Sequence, residues 1–300
     1  MGIGWEPGVS GAIQVWHHLD ASYHHLNPAV RAGLQPVVFL IRFLPAIYFL
    51  EWLSGGRTDQ YKSVGFRQDL VYLFVHMTGF FRTLTTVYLL GSITPYLRVF
   101  DLHLIDYIPQ HLAMFRALAY LLVADCMMYW YHRWQHTNRL LWAFHTTHHS
   151  QRGMSFLTQT RFHPVEDALR QLVMYVPLLI VGAGVQDWAH IVVLYRIIEY
   201  LQHSQVAWSF GPFGKVFVTA RYHAFHHSAD PEHYNHNFSV VLNVWDRMFG
   251  TFLYKNERPA RFGLPDLEMP TVASTLLVPF RLVYETYFKP RKLAQAAGED

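Results

Sequence analysis

Between Asp125 and Ser150 the chain reads DCMMYWYHRWQHTNRLLWAFHTTHHS, and five histidines recur there at helical spacings. His132 and His136 are four residues apart, His145 and His148 are three apart, and His149 follows at once. On an α-helix, positions i, i+3 and i+4 lie on one face, so each group can aim its imidazoles at one point. Farther on, RYHAFHHS repeats the HxxHH spacing with His223, His226 and His227. Together the groups offer eight side chains, more ligands than one first-row metal accepts, so a two-metal centre is expected. A lone histidine in an apolar helix is ordinarily a satisfied core residue. That explanation fails for a cluster, because burying each imidazole without a partner costs ~1–3 kcal/mol.

The surrounding chain reads as membrane-associated. Charged residues make up only 15% of the 300 residues and aromatics 16%. Low charge of this kind fits partial burial in lipid. Apolar stretches at 36–53, 70–94 and 112–131 are expected to span the bilayer, although Arg42, Pro45 and Glu51 interrupt the first. The third runs directly into His132 and His136, so one helix should project out of the bilayer carrying both. Stretches 168–185 and 188–202 flank the turn signal GAGVQD and are short for full crossings. A helical hairpin that enters and leaves on one side fits them better. The fold expected is an all-α integral membrane helical bundle of about three spans plus a membrane hairpin, under a histidine-rich helical cap. Three segments follow: 1–111, with the N-terminal part and two spans; 112–269, the catalytic part; and 270–300, an amphipathic tail. That tail either lies along the membrane surface or packs on the cap.

Loop charges orient this arrangement. The side that carries the histidines also collects Arg57, Lys62, Arg67, Arg133, Arg139, Arg152, Arg161, Lys215, Arg221 and Arg247, which places it in the cytoplasm. The net charge of +3 and the lack of a lysine-rich or basic aromatic tract exclude nucleic acid as an expected partner. Cys126 is the only cysteine, which rules out an internal disulfide and a cysteine-based zinc or iron–sulfur site. No cleaved signal peptide is expected. The pairs His17–His18 and His24–His25 lack metal spacing and read as part of an amphipathic surface helix.

The ordered motifs HxxxH, HxxHH and HxxHH, with Asp125 seven residues before the first, resemble the fatty acid hydroxylase/sterol desaturase superfamily of integral-membrane di-iron enzymes. NFSVVLNVWDRMFGTF is similar to that family's NYxxxLxxWDxxFGT stretch, at Asn237, Trp245, Asp246, Phe249, Gly250 and Thr251. The resemblance covers residues 115–255 strongly. It implies that two iron ions are held by His132, His136, His145, His148, His149, His223, His226 and His227, with zinc able to replace iron. It further implies His203, in EYLQHS, as a ninth ligand. Glu199 stands one turn earlier on the same face and can either bind metal or orient a ligand, unless it simply pairs with Arg196. His163, in TRFHPVED, lines the site or supports a ligand, and less plausibly binds metal. Asp125 is expected to support the first group as a carboxylate partner of an imidazole. Asp246 is expected to bond backbone within its turn. For His233 and His236 a supporting role and a surface position are equally open. His76 and His190 are expected in the core.

The activity implied is O2-dependent oxidation of a lipid C–H bond. Hydroxylation of a fatty acyl, sterol or related lipid is the first reading and desaturation on the same centre the second. The lipid would enter from the bilayer. With no flavin, nicotinamide, haem or cysteine-cluster signature, electrons must come from an external donor, a ferredoxin or cytochrome b5-like carrier with its reductase. A histidine-rich metal transporter is disfavoured, since its ligands should lie within the spans near the bilayer midplane. A zinc hydrolase lacks the HExxH pattern. The expected location is a bacterial inner membrane, with the endoplasmic reticulum as the alternative.

Overall fold

The computed structural model describes residues 25, 27–77, 88, 91–97, 104–181, 185–255 and 257–289. The regular structure of these residues is helical, with no strand among them; Phe217–Leu242 and Ser228–Phe262 are isolated bridges. The helices are α1 Pro28–Leu53, α2 Val64–Met77, α3 Gly91–Leu97, α4 Ala113–Thr137, α5 Arg139–His149, α6 Pro164–Val181, α7 Val185–His203, α8 Ala220–His226, α9 Val244–Met248 and α10 Val272–Tyr287. The N-terminal histidine pairs fall outside the described residues except His25, as does most of the 70–94 stretch beyond Met77.

Local chemistry explains the boundaries that matter. The third apolar stretch and the HxxxH group form the unbroken α4. Asn138 then stops that helix in an extended conformation, and its side chain accepts from Leu140 N and Leu141 N to open α5. Pro164 opens α6, where its fixed φ and missing N–H suit the first turn. Thr219 caps α8 by accepting from Tyr222 N.

α4 is the central element and packs against α5, α6 and α7. α8 sits on α7, α10 lies along α5, and the turn Phe156–Thr160 packs against α2 and α7. Met128, Tyr195 and Val241 are buried where α4, α7 and the 237–246 segment meet. Leu73, Phe156 and Leu157 form a second core beneath α1 and α2.

Buried polar contacts lock these elements together. Glu51, which reads in the sequence as a flaw in the first span, is fully buried at the end of α1. Its carboxylate accepts from Gln205 N at 2.8 Å and Tyr61 Oη at 2.7 Å. Gly56 permits this approach, since a Cβ there would lie 2.1 Å from Gln205 O. The first helix is thereby tied to the chain just beyond His203. Asp69 on α2 accepts from Arg161 Nε at 2.6 Å and Gln151 Nε2 at 2.6 Å, with both charges buried. A buried ion pair is tolerated only with such further hydrogen bonds.

Among the described residues, one helix is long and apolar enough to cross a membrane, Gln110–Thr137, with mean hydropathy 1.5. Large apolar side chains face outward on several helices, including Met114 and Phe115 on α4 and Ile41, Phe49 and Trp52 on α1. Exposed apolar surface on this scale marks a lipid or partner contact.

Candidate metal centre

Nine histidines converge at the junction of α4, α5, α7 and α8. They divide into two groups, each with its ligand nitrogens within 4.8 Å of one another. His132, His136, His145, His149 and His226 form the first, and His148, His203, His223 and His227 the second. His136 is half-buried and the other eight are buried.

This partition corrects one sequence expectation. The HxxHH motifs do not each aim at one point. His145 and His149 enter the first group and His148 the second; His223 and His227 enter the second and His226 the first. The reason is angular. At about 100° per residue, i and i+4 differ by about 40°, whereas i+3 and i+4 differ by about 100°. Each motif therefore keeps its i, i+4 pair together and sends its middle histidine across, so the two groups share both helices.

Polar groups outside the rings fix their orientation. The Nδ1 positions of His132, His203 and His226 face backbone carbonyls of Phe238 at 2.8 Å, Glu199 at 2.7 Å and His236 at 3.0 Å. Each Nδ1–H then donates outward and leaves Nε2 with its lone pair turned inward. His145 Nδ1 instead meets Glu166 Oε1 at 2.5 Å, and that carboxylate also accepts from Gln135 Nε2 at 2.8 Å. Phe162 stacks on His148 with the rings 12° from parallel.

The donor set fits first-row metal ions. His203 Nε2 lies 3.2 Å from His148 Nε2 and 3.1 Å from His223 Nε2, and His227 Nε2 lies 3.1 Å from His223 Nε2. Inward lone pairs gathered this closely repel one another unless a cation or a shared proton lies between them. In the first group the buried Nε2 atoms of His136 and His226 have no hydrogen-bond partner. Burial holds His145, His148, His149, His223, His226 and His227 well below the ordinary imidazole value, with neighbouring imidazoles adding to the effect. The rings are therefore neutral, the form that ligates metal. An all-imidazole set without thiolate suits iron, zinc, copper or nickel.

Residues expected to assist take different places. The Asp125 carboxylate touches no imidazole. It accepts from Tyr195 Oη, Val241 N, Leu242 N and Trp245 Nε1, clamping α4 to α7 and the 241–245 segment. Two helical turns do put Asp125 in line with His132, but these four donors lie closer. The Glu199 carboxylate is outside both groups and pairs with Arg170 and Arg196, while its main-chain carbonyl holds His203. His236 likewise acts through its carbonyl; its own ring faces Tyr234 O. Both nitrogens of His163 are occupied by backbone, Val165 N and Leu276 O, and neither metal group includes it. His233 bonds Ser228 and Lys255. His76 on α2 is half-buried and in neither group, and the His190 side chain lies outside the described residues. Asp246 accepts from Phe238 N, Ser239 N, Tyr222 Oη and Thr251 Oγ1, and so sets the carbonyl that His132 uses. Asn237, at φ 62°, takes the left-handed turn that Asn tolerates.

Glu166 was not singled out by the sequence. Its only signal was its place in RFHPVE, three residues after His163 on the first turn of α6.

Residues 117–251 match the model of the fatty acid hydroxylase family. An ornithine lipid hydroxylase of Rhizobium tropici is 31% identical over 138 residues, 46% of this chain and 42% of the relative. An alkylglycerol monooxygenase of Danio rerio is 29% identical over 134 residues, 45% of this chain and 30% of the relative. A Delta(7)-sterol 5(6)-desaturase of Saccharomyces cerevisiae is 26% identical over 133 residues, 44% of this chain and 34% of the relative. The chain thus matches less than half the length of these relatives. No solved structure gives a significant match. The family segment runs from within α4 to Thr251 and so contains all nine clustered histidines.

Proposed function

We propose that this protein is a membrane di-iron oxygenase that hydroxylates a C–H bond of a lipid, with desaturation on the same centre as the second reading. The observation that carries the proposal is the division of nine imidazoles into two adjoining groups at the end of an apolar helix. Its relatives by sequence act on ornithine lipids, alkylglycerols and sterols, and the fatty acyl, sterol and related lipids form the substrate class assigned here.

His132, His136, His145, His149 and His226 would hold one iron and His148, His203, His223 and His227 the other. When bound, such a pair supplies two-electron reduction of O2 coupled to attack on an unactivated C–H bond. The chain's own residues do the rest. Carbonyls of Phe238, Glu199 and His236 and the carboxylate of Glu166 hold the rings in the tautomer that presents Nε2. Phe162 screens His148 from water. Among the described residues neither group includes a carboxylate, so the side chains that would hold the metals are all imidazoles.

Residues 112–269 are assigned as the catalytic part, 1–111 as the N-terminal membrane part and 270–300 as the tail. The location is a bacterial inner membrane or the endoplasmic reticulum, with the centre on the cytoplasmic side. There a ferredoxin or cytochrome b5-like carrier delivers electrons to the basic face.

The test is metal analysis with Mössbauer spectroscopy of protein made with iron-57, followed by lipidomics of cells with and without the gene. Two coupled irons per chain and one lipid class losing its hydroxylated or unsaturated form are expected. A protein that takes up no metal ends the proposal. Zinc alone calls for iron reconstitution and an O2-consumption assay with lipid extract.

A further inference from the structure

Three hydrogen-bonded side chains lead from the surface to the five-histidine group. Lys255 Nζ lies 2.9 Å from His233 Nε2, and His233 Nδ1 lies 2.8 Å from Ser228 Oγ. The Lys255 side chain is 41% exposed, whereas His233 and Ser228 are buried. Ser228 lines a cavity of about 540 Å³ that has His136, His149 and His226 in its wall.

The donors give this chain a direction. An ammonium group can only donate, so His233 Nε2 accepts from Lys255 and the ring proton sits on Nδ1. Nδ1–H then donates to Ser228 Oγ, and Asp230 N donates to the same oxygen at 3.1 Å. With both lone pairs of Ser228 Oγ taken, its own O–H is left to donate onward, and the cavity is the space it lines. The other buried hydroxyl in that wall, Thr146 Oγ1, already donates to Ala143 O at 2.6 Å. The charged groups about His233 lie on its solvent side. Glu232 Oε1 is 3.6 Å from Nε2 and 3.0 Å from Lys255 Nζ, and Asp230 Oδ2 is 3.9 Å from Nδ1 and faces Arg261. The edge of the Phe225 ring packs beside the imidazole. Arg139 and Asp266, the other charged residues of the cavity, are exposed.

Inserting one oxygen atom of O2 into a C–H bond, with the other leaving as water, consumes two electrons and two protons. The external carrier supplies the electrons. The clustered imidazoles are poor proton donors, since His132, His203 and His226 turn lone pairs inward. A substrate seated in the cavity also closes its mouth to water, which leaves a route through the wall.

We propose that Lys255, His233 and Ser228 relay protons from solvent through the cavity wall to the five-histidine group. In each transfer the Lys255 ammonium gives a proton to His233 Nε2, the Nδ1 proton moves to Ser228 Oγ, and the Ser228 hydroxyl proton moves to the oxygen being reduced. Solvent reprotonates Lys255. The use of the relay in O2 reduction rests on the oxygenase reading; the direction of the chain does not.

The first test needs no turnover. Zinc-loaded full-length protein carrying nitrogen-15 histidine is studied by NMR in neutral buffer. The His233 signals are assigned by their loss in His233→Gln or their shift in Lys255→Met. A protonated Nδ1 and a bare Nε2 are expected, and the opposite tautomer overturns the proposal. In iron-loaded protein, His233→Gln and Ser228→Ala should keep the parent's metal content. Their turnover should fall on the order of 10²-fold, the low end of what a positioned proton donor contributes. The solvent deuterium isotope effect should rise in both, which a merely structural change would not produce, and Ser228→Thr should restore turnover by keeping the hydroxyl. Parent rates in both His233→Gln and Ser228→Ala, or loss of metal along with the rate, overturn the relay. Should His233→Gln fail to fold, Ser228→Ala against Ser228→Thr carries the same test. The expected tautomer in a protein that oxidises no lipid keeps the chain's direction and removes the oxygenase reading. Lipid oxidation with the opposite tautomer removes the relay alone.

Discussion

His145 Nδ1 lies 2.5 Å from Glu166 Oε1, and both side chains are 2% exposed. This is the one metal-group imidazole in the described residues oriented by a carboxylate rather than by a backbone carbonyl or a neighbouring ring. Partners that orient a ligating imidazole are worth about 10–100-fold in metal affinity. Glu166→Ala should therefore weaken metal binding at the five-histidine group by that factor in a chelator competition. Glu166→Gln, which keeps an acceptor for the His145 N–H, should recover most of it. Unchanged affinity in Glu166→Ala would remove this role.

The two groups can be emptied separately. His132→Ala removes a member of the first and His203→Ala a member of the second. Each variant should lose the coupled di-iron Mössbauer signal and keep one metal site. His148→Ala and His226→Ala should abolish turnover. Full metal content with full turnover in either of these two would contradict the ligand assignment.

Asp125 separates a structural carboxylate from a metal-supporting one. Its removal leaves four donors without their acceptor, two of them fully buried. Asp125→Ala should cost about 3–5 kcal/mol, the usual penalty for breaking a buried charged network, and the folded fraction should keep its metal. Thermal unfolding in detergent with metal analysis of the folded peak checks this. A variant as stable as the parent but poor in metal would return Asp125 to the imidazoles.

Acid should destabilise the metal-free protein. His145, His148, His149, His223, His226 and His227 are all held well below the free value of 6.5 by burial. Below pH 6.5 the unfolded chain takes up protons that the folded chain refuses, so stability falls as pH drops and is flat above that value. Unfolding midpoints of metal-free protein should decline steeply from pH 6.5 downward. A midpoint independent of pH in that range would show that the rings are not buried together.

The legible part of the site was set by helical spacing. The separations of His132 and His136, and of the two HxxHH motifs, already restrict where their rings can point, whereas His203, in EYLQHS, entered the set only through the family resemblance. The same was true of α4, where an unbroken apolar run leads into the first motif. The extent of the membrane part was less legible. Only Gln110–Thr137 among the described residues meets the length and apolarity of a span, and the expected count of about three plus a hairpin rests on the proposal alone.

Partners far apart in sequence were not legible. Glu199 and Asp125 both looked like imidazole partners because they share a helix face with a ligand. Tertiary packing gave them nearer ones, Arg170 for Glu199 and the 241–245 segment for Asp125. Glu166, twenty-one residues from His145, acquired its role only when α6 packed on α5. Helical spacing in the sequence by itself singled out eight of the nine clustered histidines, because side-chain direction along a helix follows from local geometry. Tertiary structure alone decided which histidine joins which group and which carbonyl or carboxylate orients it. Those choices depend on how helices rotate against one another, and that rotation is set by packing between segments more than a hundred residues apart in sequence.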